Sequence, residues 1–177
     1  MSPTPVKILL TGTPGCGKTT AIIKIAENLK DIKISGFYTK QIRQNDKRTG
    51  FSFKILDGAE GILAHINVKG SPKVSKYGVN VSAFEKSAIP VLDTEQTDAE
   101  LFIIDEIGKM ECLSEKFVTA VRRLFASDKS VLATVAKKGT GLISDVKHYP
   151  STRLFNLTAN NRDKTIAEIV QILSSLK

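Results

Sequence analysis

Apolar residues near the start of the chain come in two rhythms. Residues 6–11 (Val-Lys-Ile-Leu-Leu-Thr) form a short, nearly continuous run of strand length. Behind it, Ala21, Ile22, Ile25, Ala26 and Leu29 recur at helical spacing. The spacing predicts a strand at 6–11 and a helix over 18–30. Residues 34–43 then look like a strand, 44–49 are polar, and 50–57 alternate with period two. A turn at 58–60 separates these from a further strand pattern at 61–66. Strand patterns joined by polar loops read as antiparallel hairpins. The stretch from about 34 to 80 is therefore expected to be a β-rich insertion after the first helix, punctuated by Gly70, Pro72 and Gly78.

The second half returns to alternation of strand and helix. Ser82 is placed to cap a helix reaching about Glu95, with Pro90 as a break or kink. Residues 101–105 (Leu-Phe-Ile-Ile-Asp) read as a buried strand. A helix over 114–126 follows, with Ser114 as its cap and Phe117, Val118, Val121, Leu124 and Phe125 as its apolar face. A strand at 130–136, a short helix within 139–148 and a last strand at 153–158 come next. A helix over 161–176 closes the chain, with Ile166, Ile169, Val170 and Leu173 inward. The pattern predicts an α/β fold, a mostly parallel sheet with helices on both faces and a β-hairpin insertion. No repeat, low-complexity tract or linker divides it, so residues 1–177 are expected to form one domain.

Between the first strand and the first helix the chain reads Gly12-Thr13-Pro14-Gly15-Cys16-Gly17-Lys18-Thr19, a complete G-x-x-x-x-G-K-[ST] phosphate loop, followed by Thr20. The glycines let successive backbone N–H groups face phosphate oxygens at a helix N-terminus. Lys18 is expected at the β- and γ-phosphates and Thr19 on Mg²⁺. A strand–turn–helix with merely structural glycines would leave Lys18-Thr19 unexplained. The chain is expected to bind nucleoside triphosphates.

The run at 101–104 delivers Asp105 and Glu106 to a strand's C-terminal end, where open α/β sheets place ligands. Asp105 fits the acid that holds Mg²⁺, and Glu106 the group that activates the attacking water. Charge distribution supports a special role here. The formal net charge is +8, yet eight acids and a single base, Lys109, fall between Asp93 and Glu115. A basic remainder is compatible with nucleic acid, but no aromatic-rich strand or Arg-rich helix supports that partner over a lysine-rich solvated surface. With 41% apolar residues the chain is globular, and no apolar run approaches the ~18 residues of a membrane span. Residues 1–7 lack a signal-peptide core, and Cys16 and Cys112 are too few for a disulfide framework or a zinc site. A cytoplasmic monomer is the expectation.

Beyond the two carboxylates the chain becomes recognisable. Residues 105–111, Asp-Glu-Ile-Gly-Lys-Met-Glu, resemble the signature of a small nucleoside-triphosphatase family first described from thermophilic prokaryotes and having a human cancer-related member. Residues 36–43, 48–51 and 158–162 match in the family's order, so the resemblance covers nearly the whole chain. It implies a RecA-like P-loop fold and Mg²⁺-dependent cleavage of ATP, GTP, CTP, UTP and TTP to the diphosphate and phosphate. Diphosphates are expected to be poorer substrates. Cys16 occupies a variable position of the loop. No pathway is implied.

Other residues carry weaker signals. Arg48, more than Arg43, is placed to neutralise charge on the transferring phosphoryl group; an exposed basic hairpin would explain both equally. Lys109 is suited to pairing with Glu106 or Glu111, or to a phosphate, and Thr134 to sensing the γ-phosphate. Arg162 suits stacking on a base and Asn161 a contact to its edge, although helix capping by Asn160 or Asn161 is the plainer explanation. His65 and His148 lack metal-ligand spacing. Phe37, Phe51, Phe53, Phe117 and Phe125 are core candidates. Two other activities share the phosphate loop: a nucleotide or small-molecule kinase, which needs an acceptor pocket, and a switch acting on RNA or a protein. Glu106 directly after Asp105 suits water activation better than a kinase, while the basic surface keeps the switch open.

Overall fold

The structure, a computed structural model, describes residues 4–176. The leaderless reading of residues 1–7 therefore rests partly on residues 1–3, which lie outside the described residues. Among the described residues nine strands form one sheet in the order β5-β6-β4-β3-β2-β7-β8-β1-β9. They are β1 (Lys7–Thr11), β2 (Ile34–Gln44), β3 (Lys47–Ile55), β4 (Glu60–His65), β5 (Lys73–Val74), β6 (Tyr77–Val79), β7 (Leu101–Ile107), β8 (Ser130–Val135) and β9 (Thr152–Asn156). The pairs β2–β7, β7–β8, β8–β1 and β1–β9 are parallel, whereas β2–β3, β3–β4, β4–β6 and β6–β5 are antiparallel.

The helices are α1 (Lys18–Asn28), α2 (Val81–Val91), α3 (Glu115–Ala126), α4 (Leu142–Lys147) and α5 (Arg162–Ser174). Alternation along the parallel strands divides the core in two. Ile8 and Leu10 of β1 pack with Ile22 and Ile25 of α1 and Ile169 and Leu173 of α5. Leu9, between them, joins the opposite cluster with Phe84 of α2, Phe117 and Val121 of α3 and Val146 of α4. Helices thus cover both faces, as the strand–helix alternation predicts. The Phe84 ring centroid lies 5.2 Å from that of Phe37 and 5.5 Å from that of Phe117, fixing α2 and α3 over β2. No helix of the described residues is long and apolar enough to cross a membrane.

The region expected as a hairpin insertion begins inside the parallel sheet. Residues 34–37 of β2 pair in parallel with β7, and only then does the strand run on alongside β3. Local alternation cannot reveal this, because the partner of β2 is more than sixty residues away in sequence. The turn to β3 is tighter than the polar stretch suggests. Asn45 and Asp46, with φ of 47° and 60°, form it alone, and positive φ at both positions matches the twist of a two-residue hairpin. Residue 48 is thereby a strand residue. Helix α2 is capped by Asn80, whose Oδ1 accepts from Ala83 N at 3.3 Å, not by Ser82; it ends at Val91, so Pro90 sits in its last turn. Ser114 caps α3 as expected, accepting from Phe117 N at 3.0 Å.

One buried cation ties α3 to the sheet. The Lys7 ammonium, from β1, donates to Leu124 O at 2.9 Å and Ser127 O at 3.1 Å, and also to Lys129 O. These carbonyls close the C-terminal end of α3, where a helix leaves acceptors unpaired and favours positive charge. Lys7→Met keeps the stem and removes the donors. It should cost roughly 1.5–3 kcal/mol, the range for hydrogen bonds to charged groups, read as a lower midpoint of thermal unfolding. An unchanged midpoint would mean that water replaces the ammonium at no cost.

Candidate active site

Strand β1 ends at Thr11 and hands the chain to the phosphate loop, and Lys18 opens α1. Gly17 is the N-cap, with φ of 96°, and no side chain caps the helix. Its first N–H groups are therefore left for an anion. A Cβ on Gly17 would lie 2.9 Å from Arg162 Nη1, so glycine here permits both the left-handed turn and the approach of that guanidinium. Lys18 Nζ donates to Gly12 O at 3.2 Å and Thr13 O at 3.4 Å, folding the ammonium over its own loop.

Asp105 lies near the C-terminal end of β7, which runs two residues beyond the expected strand to Ile107, and it is only 2% exposed. Its Oδ2 accepts from Thr19 Oγ1 at 2.6 Å and, more weakly, from Thr39 N at 3.4 Å. Its Oδ1 accepts from Thr134 Oγ1 at 2.5 Å. Residues of α1, β2 and β8 thus converge on one carboxylate. Thr134, considered above as a γ-phosphate sensor, instead spends its hydroxyl on Asp105. The β7–β8 register shifts between Ile104 and Ile107, and the Asp105–Glu106 peptide is cis. Burial pushes the Asp105 carboxyl above its ordinary pKa, while the Thr134 and Thr19 hydroxyls pull it back. Glu106, half-buried, is also pushed up, first by burial and then by Asp105, with Lys18 opposing.

Asp105 and Glu106 line one cavity of about 630 Å³ together with Pro14, Gly15, Gly17, Lys18, Thr19 and Thr20. Arg48 lines it too. Its Nε donates to the Tyr77 hydroxyl at 3.1 Å, and its guanidinium lies 5.2 Å from the Phe51 ring centroid. Arg43 is turned away, donating to Gln41 Oε1 and Asp46 O in the hairpin. Lys109 lines the cavity and is exposed; no ion pair to Glu106 or Glu111 forms among the described residues. Phe51, expected in the core with Phe37, Phe53, Phe117 and Phe125, is only half-buried and forms cavity wall with Leu63, Val74 and Met110.

Arg162 and Asn161 sit at the start of α5, on the other side of Gly17. The Asn161 amide is engaged at both ends, accepting from Thr158 N at 2.8 Å and donating to Asn156 O at 2.9 Å. Thr13 is exposed, and Cys16 packs half-buried toward the α1–α5 core. Cys112 packs near α3, where burial raises its pKa to about 12. His65 and His148 hydrogen-bond within their own segments.

One residue of the cavity escaped the sequence reading. Glu111 is 5% exposed, and its carboxyl is pushed well above the usual range by burial and then by Glu106. In the sequence it stood only as a possible partner for Lys109. The signal was Met110-Glu111-Cys112-Leu113, an acid set among apolar residues.

As a metal site, the donor set is an aliphatic hydroxyl beside a carboxylate, hard oxygen ligands that suit Mg²⁺. Among the described residues no group of three or more His, Cys, Asp or Glu is arranged to hold a metal. Mg²⁺, which keeps water and phosphate ligands, needs no such group.

The NTPase family model matches residues 7–170. The chain is 40% identical over 168 residues to nucleoside-triphosphatase THEP1 of Thermotoga maritima, covering 95% of each sequence. Among solved structures it superposes on the crystal structure of THEP1 from Aquifex aeolicus with a TM-score of 0.87 and 36% identity, covering 95% of this chain and 99% of that one. The solution structure of a human cancer-related nucleoside triphosphatase gives a TM-score of 0.80 at 34% identity, covering 97% of this chain and 99% of that one.

Burial of Glu111 has a consequence for stability. An acid whose pKa is raised by folding binds its proton more tightly in the folded chain than in the unfolded one. Its contribution is complete below the ordinary 4.5 and is lost as pH rises toward the elevated folded value. In the nucleotide-free and metal-free protein, Glu111→Gln should therefore flatten the fall in unfolding midpoint above pH 4.5 and raise the midpoint at pH 8. A parent-like pH profile in that variant would show that Glu111 titrates as a solvated acid.

Proposed function

The chain belongs to the NTPase family, and we propose that it is a nucleoside-triphosphate phosphohydrolase that uses Mg²⁺ and cleaves ATP, GTP, CTP, UTP and TTP to the diphosphate and phosphate. The observation that carries this reading is the 2.6 Å contact between Thr19 and Asp105, with Glu106 and Lys18 lining the same cavity. The phosphate loop and the end of β7 thus meet where a triphosphate seated on α1 would end.

In this reading the amides of residues 12–17 and Lys18 bind the phosphates. Thr19 and Asp105 hold Mg²⁺, which when bound neutralises charge on the β- and γ-phosphate oxygens. Glu106 accepts a proton from water as the water oxygen bonds to the γ-phosphorus. The bond from that phosphorus to the bridging oxygen breaks, and the nucleoside diphosphate leaves with the electron pair. Arg48, already laid across Phe51 at the cavity wall, offsets charge on the phosphoryl group in transit. Diphosphates lack the group that Lys18 and Glu106 act upon and should be poorer substrates.

Selectivity for the base should be weak. Arg162 lies against Gly17, where its guanidinium can stack on any base, since every base has a π-face. A second reading has one observation in its favour. The cavity continues past the carboxylates along Phe51, Leu63, Val74 and Met110, an apolar wall that hydrolysis by water does not require. A small-molecule or nucleotide kinase would seat its acceptor there.

Phosphate release from each NTP, with and without added nucleosides and monophosphates, tests both. Hydrolysis predicts full release without an acceptor and kcat/KM within about tenfold across bases, ~1.4 kcal/mol. Glu106→Gln should bind Mg·ATP normally and lose ~10²-fold or more in kcat, the scale of general-base catalysis. Arg162→Ala should weaken every NTP and spare inorganic tripolyphosphate. Formation of the nucleoside diphosphate only when an acceptor is added, with the phosphoryl group on the acceptor and no free phosphate released, would replace the hydrolase by the kinase.

A further inference from the structure

Arg48 reaches the cavity only through an irregularity in its strand. Gln41 pairs with Phe51 and Arg43 with Arg48, so the β2–β3 register slips by one residue between Ile42 and Arg43. The extra residue is Thr49, a β-bulge whose side-chain hydroxyl donates to Ile42 O at 3.3 Å. Side chains three apart on a regular strand face opposite ways. The bulge cancels that alternation and puts Arg48 on the same face as Phe51, the face that lines the cavity. With regular pairing the guanidinium would leave on the other face, with Gly50 and Ser52.

Tyr77 of β6, itself buried, then takes hold of the side chain. Its hydroxyl accepts from Arg48 Nε at 3.1 Å and donates to Arg48 O at 3.4 Å, so one oxygen ties both the guanidinium and the backbone of the same residue. The guanidinium carbon lies 5.2 Å from the Phe51 ring centroid and 5.8 Å from that of Tyr77, and the two rings meet edge to face at 5.4 Å. Arg48 is thus set against two aromatic rings and fastened by its inner nitrogen. Among the described residues no carboxylate pairs with it. Its forked terminal nitrogens are left for phosphoryl oxygens, which they match in geometry.

We propose that Tyr77 is a positioning residue: its hydroxyl holds the Arg48 guanidinium at the cavity before the nucleotide arrives. The inference rests on the reading that Arg48 offsets charge on the transferring phosphoryl group. An exposed arginine on a hairpin has many rotamers, and few of them face the cavity. Fixing one in advance removes that ordering cost from the reaction, as preorganised electrostatic stabilisation requires. It also accounts for a tyrosine where phenylalanine would pack on Phe51 equally well. Because Arg48 and Tyr77 belong to the same chain, the charge-offsetting group needs no partner protein to supply it.

Steady-state hydrolysis of Mg·ATP by Tyr77→Phe, Tyr77→Leu, Arg48→Ala and the double variant Arg48→Ala/Tyr77→Phe provides the test, with unfolding midpoints for all. Arg48→Ala should lose ~10²-fold or more in kcat, the scale of one contact to charge developing in the transition state. Tyr77→Phe keeps the ring and removes the hydroxyl. It should lose ~10-fold in kcat with KM unchanged, as expected for one hydrogen bond to a charged group. Tyr77→Leu removes the ring as well and should approach Arg48→Ala; Tyr77→Phe decides the matter if Tyr77→Leu does not fold. In the Arg48→Ala background Tyr77→Phe should cost nothing further, because the hydroxyl then has no guanidinium to hold. A merely structural tyrosine would lower turnover by the same factor in both backgrounds. Parent kcat in Tyr77→Phe, equal losses in the two backgrounds, or a rise in KM alone would overturn the positioning role and leave Arg48 in place. Parent turnover in Arg48→Ala would overturn the reading of Arg48 itself.

Discussion

A carboxylate sealed inside a protein needs partners for both of its oxygens, and Asp105 takes them from three different elements. Thr19 comes from the first turn of α1, Thr134 from β8 and the Thr39 amide from β2. An unpartnered buried charge costs several kcal/mol, so the hydroxyls, the helix and the two flanking strands are held to one arrangement. Everything else about the site follows from that meeting point. The phosphate loop lies over the ends of β1 and β7, and β7 runs on past Asp105 to Ile107, which still pairs with Val135 of β8, before the chain leaves the sheet.

The antiparallel half of the sheet completes the enclosure. Because β2 is shared between the parallel core and the β3–β4 extension, the extension is rigidly continuous with the strand beside Asp105. Its two-residue turn and register bring Arg48 and Phe51 to the cavity wall, and Tyr77 of β6 accepts the Arg48 Nε–H. A chain of net positive charge places eight of its eighteen acids between Asp93 and Glu115, and three of them, Asp105, Glu106 and Glu111, line the same cavity as that wall. Cations on the extension and acids on and just after β7 thus line the same space, which suits a polyanion carried together with a divalent cation.

The phosphate loop, the strand delivering Asp105 and the helices on both faces were legible because each is a local pattern of period, glycine and charge. What was not legible depends on partners far apart in sequence. The 34–37 stretch joins β7 in parallel, which no local alternation encodes. Asn80 and Ser82 are both good caps, and only the exit of β6 decides between them. Thr134 could be placed near the site but not aimed, since the contact that orients it belongs to Asp105 on the neighbouring strand. Glu111 was hidden by its charge, which ordinarily marks a solvated position. Phe51 shares the face and the period of Phe53, yet Phe53 meets Phe84 of α2 at 5.8 Å, whereas the Phe51 ring meets Tyr77 of β6 at 5.4 Å.

The central claim is that Asp105 and Thr19 hold the divalent ion of an NTP-cleaving site. Binding of Mn²⁺, as a paramagnetic stand-in for Mg²⁺, measured by electron paramagnetic resonance with a non-hydrolysable ATP analogue, tests it most directly. The parent should bind one tight ion per chain only when the nucleotide is present. Asp105→Asn should lose that ion while still binding the nucleotide loosely. Tight, nucleotide-dependent Mn²⁺ binding by a folded Asp105→Asn protein at the parent's affinity would contradict the account.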